Sequence, residues 1–329
     1  FTAMMGAGPV IAIGVIVLPI LMSLGIPKAI AMFTFMGSVS AGMYLNPVLQ
    51  FSQLRAFICA ADEMPEFTFS WYTSHWGIYA LIISVVVVSV LTGIYLKLGK
   101  KSHAWAAQAA PKNVQTDAPL IALILPIVPV VLKIWLDFSV IGGFVIAGFA
   151  ALFLCGKMNK SFKENCQLVN KLYYDGVVDT APLVGFLLTL PMFNTCASYA
   201  SPYFKEVLGG IMPTNELVVC ALFAALSILG FFRGPLTLYG CGAATLGVLS
   251  AVGHFSVPFL FCVFTIPATT VNVGSCITQS WIAWGLAYTK VESRDYLKLS
   301  IPFAYICSIL LYILTAFTVT GLGPEWFLA

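Results

Sequence analysis

Apolar runs of roughly 17 to 25 residues recur along the whole chain. That is the length of an α-helix that crosses a hydrocarbon core of about 30 Å, where only helices and closed barrels satisfy their own backbone. The 329 residues are 60% hydrophobic and only 9% charged, whereas soluble domains are about a quarter charged. We therefore expect an all-α, polytopic membrane protein whose ten predicted spans are 8–24, 29–45, 76–98, 119–135, 138–155, 177–193, 217–232, 235–252, 255–271 and 299–320.

The basic residues predict the orientation of these spans. Two loops separated by two spans hold four lysines each, namely Lys97, Lys100, Lys101 and Lys112 in one, and Lys157, Lys160, Lys163 and Lys171 in the other. The positive-inside rule makes that side cytoplasmic, and alternation then leaves only Arg55, Lys133 and Lys205 outside. This predicts a multi-pass protein of the inner (cytoplasmic) membrane with an external C-terminus. The net charge of +3 is too small to indicate nucleic acid as a partner.

Several chemical classes have no support in the sequence. The nine cysteines are scattered without a CxxC pair or a Cys/His cluster, so we interpret them as small apolar residues rather than metal ligands or disulfides. The strings HExxH, GxSxG and Gx4GK[ST] do not occur. We therefore expect no metal or organic cofactor, no enzymatic activity, and no nucleotide-driven pumping by this chain itself.

The start of the chain matches its last third at an offset of 226 residues without a gap. The matched residues are helix-breaking Gly-Pro pairs, phenylalanines and uncharged amides: Gly8-Pro9 with Gly234-Pro235, Gly14 with Gly240, Phe33 and Phe35 with Phe259 and Phe261, Asn46 with Asn272, and Ser52-Gln53 with Thr278-Gln279. The seven spans predicted for the second copy are an odd number, which implies an inverted repeat. If 235–252 is a re-entrant hairpin instead, that parity changes.

This repeat predicts the domain organisation. Residues 1–100 hold the last three spans of the first copy, 101–118 form a basic cytoplasmic linker, and 119–329 form the second copy with about seven spans. We expect about four spans, on the order of a hundred residues, to precede Phe1 in a complete protein. The chain is accordingly interpreted as N-terminally truncated.

Polar stretches with few or no charges interrupt the predicted spans. They are MGSVSAGMYLNPVLQFSQLR at 36–55, its counterpart TTVNVGSCITQSW at 269–281, PMFNTCASYASPYF at 191–204 and RGPLTLYGCGAATLG at 233–247. Broken helices expose backbone groups at membrane depth, which is tolerable only where a cavity or a substrate satisfies them. Inverted repeats with such breaks indicate a secondary transporter with its site near the midplane. We therefore expect broken or re-entrant helices at these four places.

The layout resembles the ion transporter superfamily, and within it the gluconate:proton symporter family with its neighbours among citrate and C4-dicarboxylate carriers. The resemblance lies in GAGPVIAIGVIVLPILMSLGIP and GSVSAGMYLNP of the first copy, and in TVNVGSCITQSWIAWGL and YLKLSIPF of the second. It implies a homodimeric carrier that moves a small organic anion with H⁺ or Na⁺. The Ser-Asn-Thr triplet of the sodium-dicarboxylate branch is absent, which favours H⁺.

The predicted site consists of uncharged polar residues at the breaks together with one cation. Amides and hydroxyls can bind hydroxyl and carboxylate groups without placing a charge in the membrane, although such side chains also bond neighbouring helices or their own backbone. Arg233 suits a carboxylate, or serves as a cytoplasmic anchor. The predicted substrate-binding residues are Asn46, Gln53, Asn272, Gln279, Ser38, Ser40, Ser275, Thr278, Asn194, Thr195, Ser198 and Arg233.

Asp179 is the candidate for proton coupling, because it is the acid nearest to the interior of a predicted span. A helix N-terminal cap is the alternative. The leading functional hypothesis is secondary active transport of a sugar acid such as gluconate, or of a di- or tricarboxylate, by alternating access. The second hypothesis is a cation/proton antiporter or ion channel of the same superfamily, which usually needs acidic residues deep in its spans.

Overall fold

The computed structural model describes residues 7–59, 64–98, 119–129, 132, 138, 140–158, 161–208, 213–253 and 255–320. Every regular element within these ranges is a helix, which confirms the all-α prediction for them. The chain divides into two compact units. Unit 1 comprises Phe1–Ala109 with Leu190–Ala329, and unit 2 comprises Ala110–Thr189.

The α-helices are numbered here in chain order. They are α1 Ala7–Ser23, α2 Lys28–Met43, α3 Gln53–Ile58, α4 Phe69–Tyr72, α5 Ile78–Leu98, α6 Val140–Leu154, α7 Phe162–Leu208, α8 Glu216–Ala225, α9 Gly242–Val252, α10 Val257–Ile266, α11 Ser280–Thr289 and α12 Ser293–Thr318. Between them lie π-helical segments at Pro47–Ser52, Thr73–Gly77 and Pro267–Val273, and 3₁₀ segments at Leu120–Ile127 and Ser227–Arg233.

Among the described residues, two helices are long and apolar enough to cross a membrane, Phe69–Leu98 and Ser293–Thr318. A third span is present if Glu216–Ala225 and Ser227–Arg233, which meet at 65°, are counted as one. Shorter apolar helices occupy Pro9–Ser23, Gly142–Leu154 and Val257–Val273. The described residues therefore indicate membrane association, but they do not reproduce the full count of ten spans. One reason is that 235–252 begins as an irregular loop and becomes helical only at Gly242.

The two long helices of unit 1 pack antiparallel. The Trp76 indole N–H donates to the Thr315 hydroxyl at 3.0 Å, the Ser84 hydroxyl lies 3.4 Å from the Cys307 thiol, and the Tyr95 hydroxyl donates to the Leu299 carbonyl at 3.0 Å. As the residue number rises from 76 to 95, the partner's number falls from 315 to 299. Helix α2 packs against both long helices, and Phe33 makes edge-on ring contacts with Tyr95 and Phe303.

From Pro302 onward, α12 lacks the polar exposed face of a soluble amphipathic helix. Its buried face includes the hydroxyl residues Ser300, Ser308 and Thr315. Its exposed side chains are large and apolar, namely Ile306, Ile309, Leu310, Ile313 and Phe317. Small hydroxyl residues inside and aliphatic residues outside are the distribution that a hydrocarbon solvent favours. Helix α5 follows the same rule, with Ser84 buried and Ile82, Val85, Val86 and Val90 exposed.

Unit 2 contains a helical hairpin. Helix α6 ends at Leu154, and Gly156 adopts a left-handed φ of 66°. The Gly156 N–H donates to the Phe153 carbonyl and the Lys157 N–H to the Leu152 carbonyl, which is the hydrogen-bond pattern of a Schellman motif. The chain then reverses into α7, which begins at Phe162.

The break predicted at 191–204 is wrong, because α7 is a continuous helix from Phe162 to Leu208. The prediction depended on Pro191 and Pro202. Proline removes one backbone hydrogen bond, but a helix in apolar surroundings can continue past it when neighbouring groups satisfy the freed carbonyl.

Candidate functional site

Three interruptions of the helices of unit 1 meet. We call them together the break junction, defined as residues 44–50, 231–241 and 274–279. The Tyr239 hydroxyl of the second segment donates to the Leu49 carbonyl of the first at 2.9 Å. The Phe232 backbone N–H donates to the Cys276 sulfur of the third at 3.1 Å. Three of the four predicted breaks are thus connected by direct contacts.

The first segment follows α2 and is organised by Asn46. Its backbone is extended, with ψ of 115°, and its side-chain oxygen accepts from the N–H groups of Val48 at 3.0 Å and Leu49 at 2.8 Å. Pro47, which lacks an N–H, occupies the first helical position. Asn46 is therefore an N-cap, which satisfies two backbone donors that a helix start leaves open. Its capping role accounts for its burial without a ligand.

The second segment is a tight loop around Arg233. Phe232 and Arg233 have left-handed φ angles of 54° and 59°. A Cβ at Gly234 or Gly240 would lie 2.0 Å from the carbonyl oxygen of Leu229 or Arg233, respectively, so the backbone conformation requires glycine at both positions. The Arg233 guanidinium donates to the Tyr239 carbonyl at 3.0 Å and to the Gln279 side-chain oxygen at 3.1 Å. A half-buried cation therefore joins the second and third segments.

The third segment begins where the π-helical segment Pro267–Val273 ends, at Gly274, and continues to α11. The Ser275 hydroxyl donates to the carbonyls of Thr270 at 3.1 Å and Ser300 at 3.3 Å. The Trp281 indole N–H donates to the Val273 carbonyl at 3.2 Å, and the Tyr296 hydroxyl donates to the Gly274 carbonyl at 2.7 Å. Side chains thus satisfy the carbonyls that the break releases from helical pairing.

Two buried amides have no hydrogen-bond partner among the described residues. Asn272, in the last turn of the π-helical segment, is 1% exposed, and neither its oxygen nor its nitrogen is paired. Gln50, in the first segment, is fully buried and likewise has neither amide atom paired. Burying an amide without a partner costs about 1–3 kcal/mol by protein mutational data, so native proteins rarely leave one in this state. These two side chains are the strongest candidates for contacts with a bound solute.

Hydroxyl groups extend this candidate surface along one helix. Thr265, Thr269 and Asn272 lie along one helix, which is α-helical to Ile266 and π-helical from Pro267 to Val273. The hydroxyls of Thr265 and Thr269 are buried and unpaired among the described residues, as is the hydroxyl of Ser308 on α12. The helix formed by α10 and Pro267–Val273 therefore carries two hydroxyls and one amide without a hydrogen-bond partner among the described residues.

Of four further predicted residues, one is buried and three are exposed. Ser40 is buried and donates to the Thr269 carbonyl at 3.2 Å. Ser38 is exposed and donates to the Thr34 carbonyl of its own helix at 2.8 Å. Gln53 is exposed at the start of α3, and Thr278 is exposed with its hydroxyl 3.0 Å from the Cys276 sulfur.

Four predicted residues lie on the long helix α7. Thr195 is exposed there. Asp179, Asn194 and Ser198 are helical, but their side chains lie outside what the structure describes. Their predicted roles in substrate binding and coupling stay predictions.

Sequence reasoning missed Gln50, Thr265, Thr269, Ser308 and Tyr239. Gln50 lies three residues before the chosen Gln53, in the same polar stretch. An Asn-Pro N-cap at Asn46 predicts a helix from residue 47, but residues three apart share a face of an α-helix, so no sequence signal separates Gln50 from Gln53. The other four resemble ordinary helix or loop residues by sequence, so only their surroundings identify them.

No group of three or more His, Cys, Asp or Glu side chains that could hold a metal ion occurs in the part of the chain that the structure describes. The donors at the break junction are amides, hydroxyls and one guanidinium, which suit a polar organic solute. No protein-family model, curated protein or solved structure matches this chain.

Proposed function

We propose that this protein is a secondary active transporter of a small organic anion and that the break junction, together with the adjoining Asn272, is its substrate site. The observation that carries the proposal is the pair of buried, unpartnered amides at Asn272 and Gln50, next to broken helices in an apolar bundle. Buried polar groups without hydrogen-bond partners destabilise the fold, whereas a bound solute supplies those partners and offsets the loss. The resemblance to the ion transporter superfamily points to the same class.

The charge of the junction favours an anion. Arg233 contributes a guanidinium that donates to two neutral oxygens, those of the Tyr239 carbonyl and the Gln279 amide. A guanidinium binds carboxylates through two parallel hydrogen bonds. Amides offer both a donor and an acceptor, so Asn272 can bind a hydroxyl or a carboxylate oxygen. A sugar acid such as gluconate, or a di- or tricarboxylate, combines these groups.

Two similar hydrogen bonds, although not at positions matched by the 226-residue offset, support a repeat with alternating access. Tyr72, the fourth residue of the span Phe69–Leu98, donates to the carbonyl of Tyr44, which caps the C-terminus of α2. Tyr296, the fourth residue of Ser293–Thr318, donates to the carbonyl of Gly274, which caps Pro267–Val273. The antiparallel packing of the two spans is what an inverted repeat predicts. A site between two inverted halves can open to either side by rocking of one half.

The remaining parts of the proposal follow from the sequence. The carrier is a homodimer in the inner membrane, H⁺ is favoured over Na⁺ as the coupling ion, and Asp179 is the coupling candidate. The resemblance implies the dimer and the coupled transport, and the loop lysines imply the orientation.

Uptake into proteoliposomes tests this function. Purified protein is reconstituted, and entry of labelled gluconate, citrate and succinate is measured under an imposed pH gradient, an imposed Na⁺ gradient, or neither. We expect one of these anions to accumulate under a pH gradient and to be released by a protonophore. If no anion moves in any condition, the proposed function is wrong.

The alternative is a cation/proton antiporter or channel, and one observation favours it. The unpaired hydroxyls of Thr265, Thr269 and Ser308 are neutral oxygens of the kind that coordinate cations. Cation flux in the same liposomes, without movement of any organic anion, is the result that selects this alternative.

A further inference from the structure

A groove of 680 Å³ lies in the helical hairpin of unit 2, away from the break junction in sequence. We call it the hairpin groove. It lies between the last turns of α6 and the first turns of α7, and the side chains that line it include Phe149, Phe153, Met158, Phe162, Asn165 and Val169. Most of this lining is apolar. Its volume is that of a binding site for a drug-sized molecule.

The walls of the groove are held in place by local structure. The Schellman motif at Gly156 ends α6 and reverses the chain. The Asn165 amide then donates to the Met158 carbonyl at 3.0 Å, which fastens the connecting loop to α7. The α7 side of the lining extends from Phe162 to Tyr173 at helical spacing, so one straight face of that helix forms a wall several turns long.

Large aromatic surfaces of this groove are open. Phe162 is 84% exposed and Phe153 is 62% exposed. Exposed apolar surface in a concave shape indicates a binding site for an apolar ligand. An acyl chain is flexible and apolar, and it can fill an elongated groove of this kind.

Basic residues flank the groove in the sequence, although none is among the side chains that line it. Residues 149–173 contain four lysines and one glutamate, a net charge of +3. Lys157 and Lys163 are exposed and adjoin the lining residues Met158 and Phe162 in sequence, whereas Lys171 lies on the face of α7 opposite the lining. The sequence predicts that this loop lies on the cytoplasmic side, where the membrane surface is anionic and each nearby lysine strengthens binding about fivefold. A lipid phosphate can therefore bind the lysines, while the acyl chain of the same lipid fills the groove.

We propose that the hairpin groove binds an anionic phospholipid, with its acyl chain against Phe153 and Phe162 and its phosphate against Lys157 and Lys163. This proposal rests on other residues than the proposed substrate site does, so it stands even if the transported solute is not an organic anion. Basic pockets beside membrane helices are a common way to hold such lipids.

Spin-labelled lipids test the proposal. The whole chain is placed in nanodiscs of phosphatidylcholine, and the motionally restricted fraction is measured for spin-labelled phosphatidylglycerol and, separately, for spin-labelled phosphatidylcholine. We expect the restricted fraction to be several-fold larger for phosphatidylglycerol at low salt and the difference to shrink in 0.5 M NaCl, because salt screens exposed charges. Equal fractions for the two lipids overturn the proposal.

Matched variants locate the lipid. In Lys157→Gln with Lys163→Gln, the several-fold preference for phosphatidylglycerol should be lost, because each nearby lysine strengthens binding about fivefold. The control, Lys97→Gln with Lys290→Gln, removes the same charge at exposed positions of unit 1 and should keep the preference. An equal loss in both pairs means that net charge alone attracts the lipid, which contradicts a site at the groove.

A second pair of variants tests the contact between the groove and the acyl chain. Phe153→Ala with Phe162→Ala should release the restricted phosphatidylglycerol, while circular dichroism shows unchanged helix content. Glycerol phosphate, which lacks the acyl chain, should not compete with the lipid. If it competes fully, or if the aromatic variant retains the lipid, the groove does not hold an acyl chain.

Discussion

The hydroxyl groups of Tyr44 and Thr270 are hydrogen-bonded to each other in the buried centre of unit 1. Their separation of 226 residues equals the offset of the predicted repeat. In an inverted repeat, corresponding positions come into direct contact only near the axis that relates the two copies. The proposed repeat therefore has its axis near the Tyr44–Thr270 bond.

Replacement of Asn272 should weaken substrate binding without destabilising the fold. Because neither amide atom has a partner among the described residues, Asn272→Ala removes no hydrogen bond seen there and should leave the unfolding temperature unchanged or raise it. Uptake should fall about tenfold or more, since a hydrogen bond to a charged ligand is worth about 1.5–3 kcal/mol. Transport assays and thermal denaturation on the same preparations check both parts. Unchanged uptake would remove Asn272 from the site.

Asn215→Ala is the control for that variant. Asn215 is exposed and caps α8 by accepting from the Leu217 N–H at 2.8 Å. Its replacement should lower the free energy of unfolding by about 1 kcal/mol while uptake per folded protein is unaffected.

Asn46 should behave in the opposite way from Asn272, although the two align in the repeat. Asn46→Ala leaves the N–H groups of Val48 and Leu49 without their acceptor, at a cost of about 0.5–2 kcal/mol. Asn46→Asp retains an acceptor of the same length and should restore most of the stability. Thermal denaturation of the purified variants checks this order. Equal stability of all three proteins would contradict the capping role.

The charge of Gln279 should control the affinity for anions. Gln279→Glu places a carboxylate about where the amide oxygen now lies, 3.1 Å from the Arg233 guanidinium, and neutralises the cation by pairing. The KM for the anion should rise about tenfold, which corresponds to about 1.4 kcal/mol of binding. Gln279→Ala leaves the charge of Arg233 intact and should have a smaller effect. The dependence of uptake on anion concentration measures both, and a lower KM for Gln279→Glu would exclude an anion at Arg233.

The antiparallel packing of the two long spans can be tested by cross-linking. The Ser84 oxygen lies 3.4 Å from the Cys307 sulfur, so Ser84→Cys brings two thiols together and should form a disulfide on mild oxidation. Ser89→Cys is the control, because Ser89 is exposed on the same helix. Mass spectrometry of the digested protein should find the 84–307 peptide pair and no 89–307 pair. Absence of the first pair would contradict the observed register.

The sequence alone predicted the class of this protein and the position of its main interruptions. Long apolar runs with few charges are sufficient for a helical protein with membrane-crossing segments, because the backbone must be paired internally in hydrocarbon. Gly-Pro pairs and polar stretches located the breaks near Asn46, Arg233 and Gln279, because these residues favour helix ends. The same reasoning was wrong at 191–204, where the prolines lie within a continuous helix.

The role of each polar side chain was decided by the tertiary structure. By sequence, Asn46 and Asn272 are equivalent, yet one caps a helix and the other is buried without a partner among the described residues. Gln50 and Gln53 lie three positions apart, and only Gln50 is buried. A sequence specifies which donors and acceptors are present, whereas the helix ends and the neighbouring chain segments decide which of them are already paired. The groups that stay unpaired, Asn272 and Gln50, could be identified only once every other partner was in place.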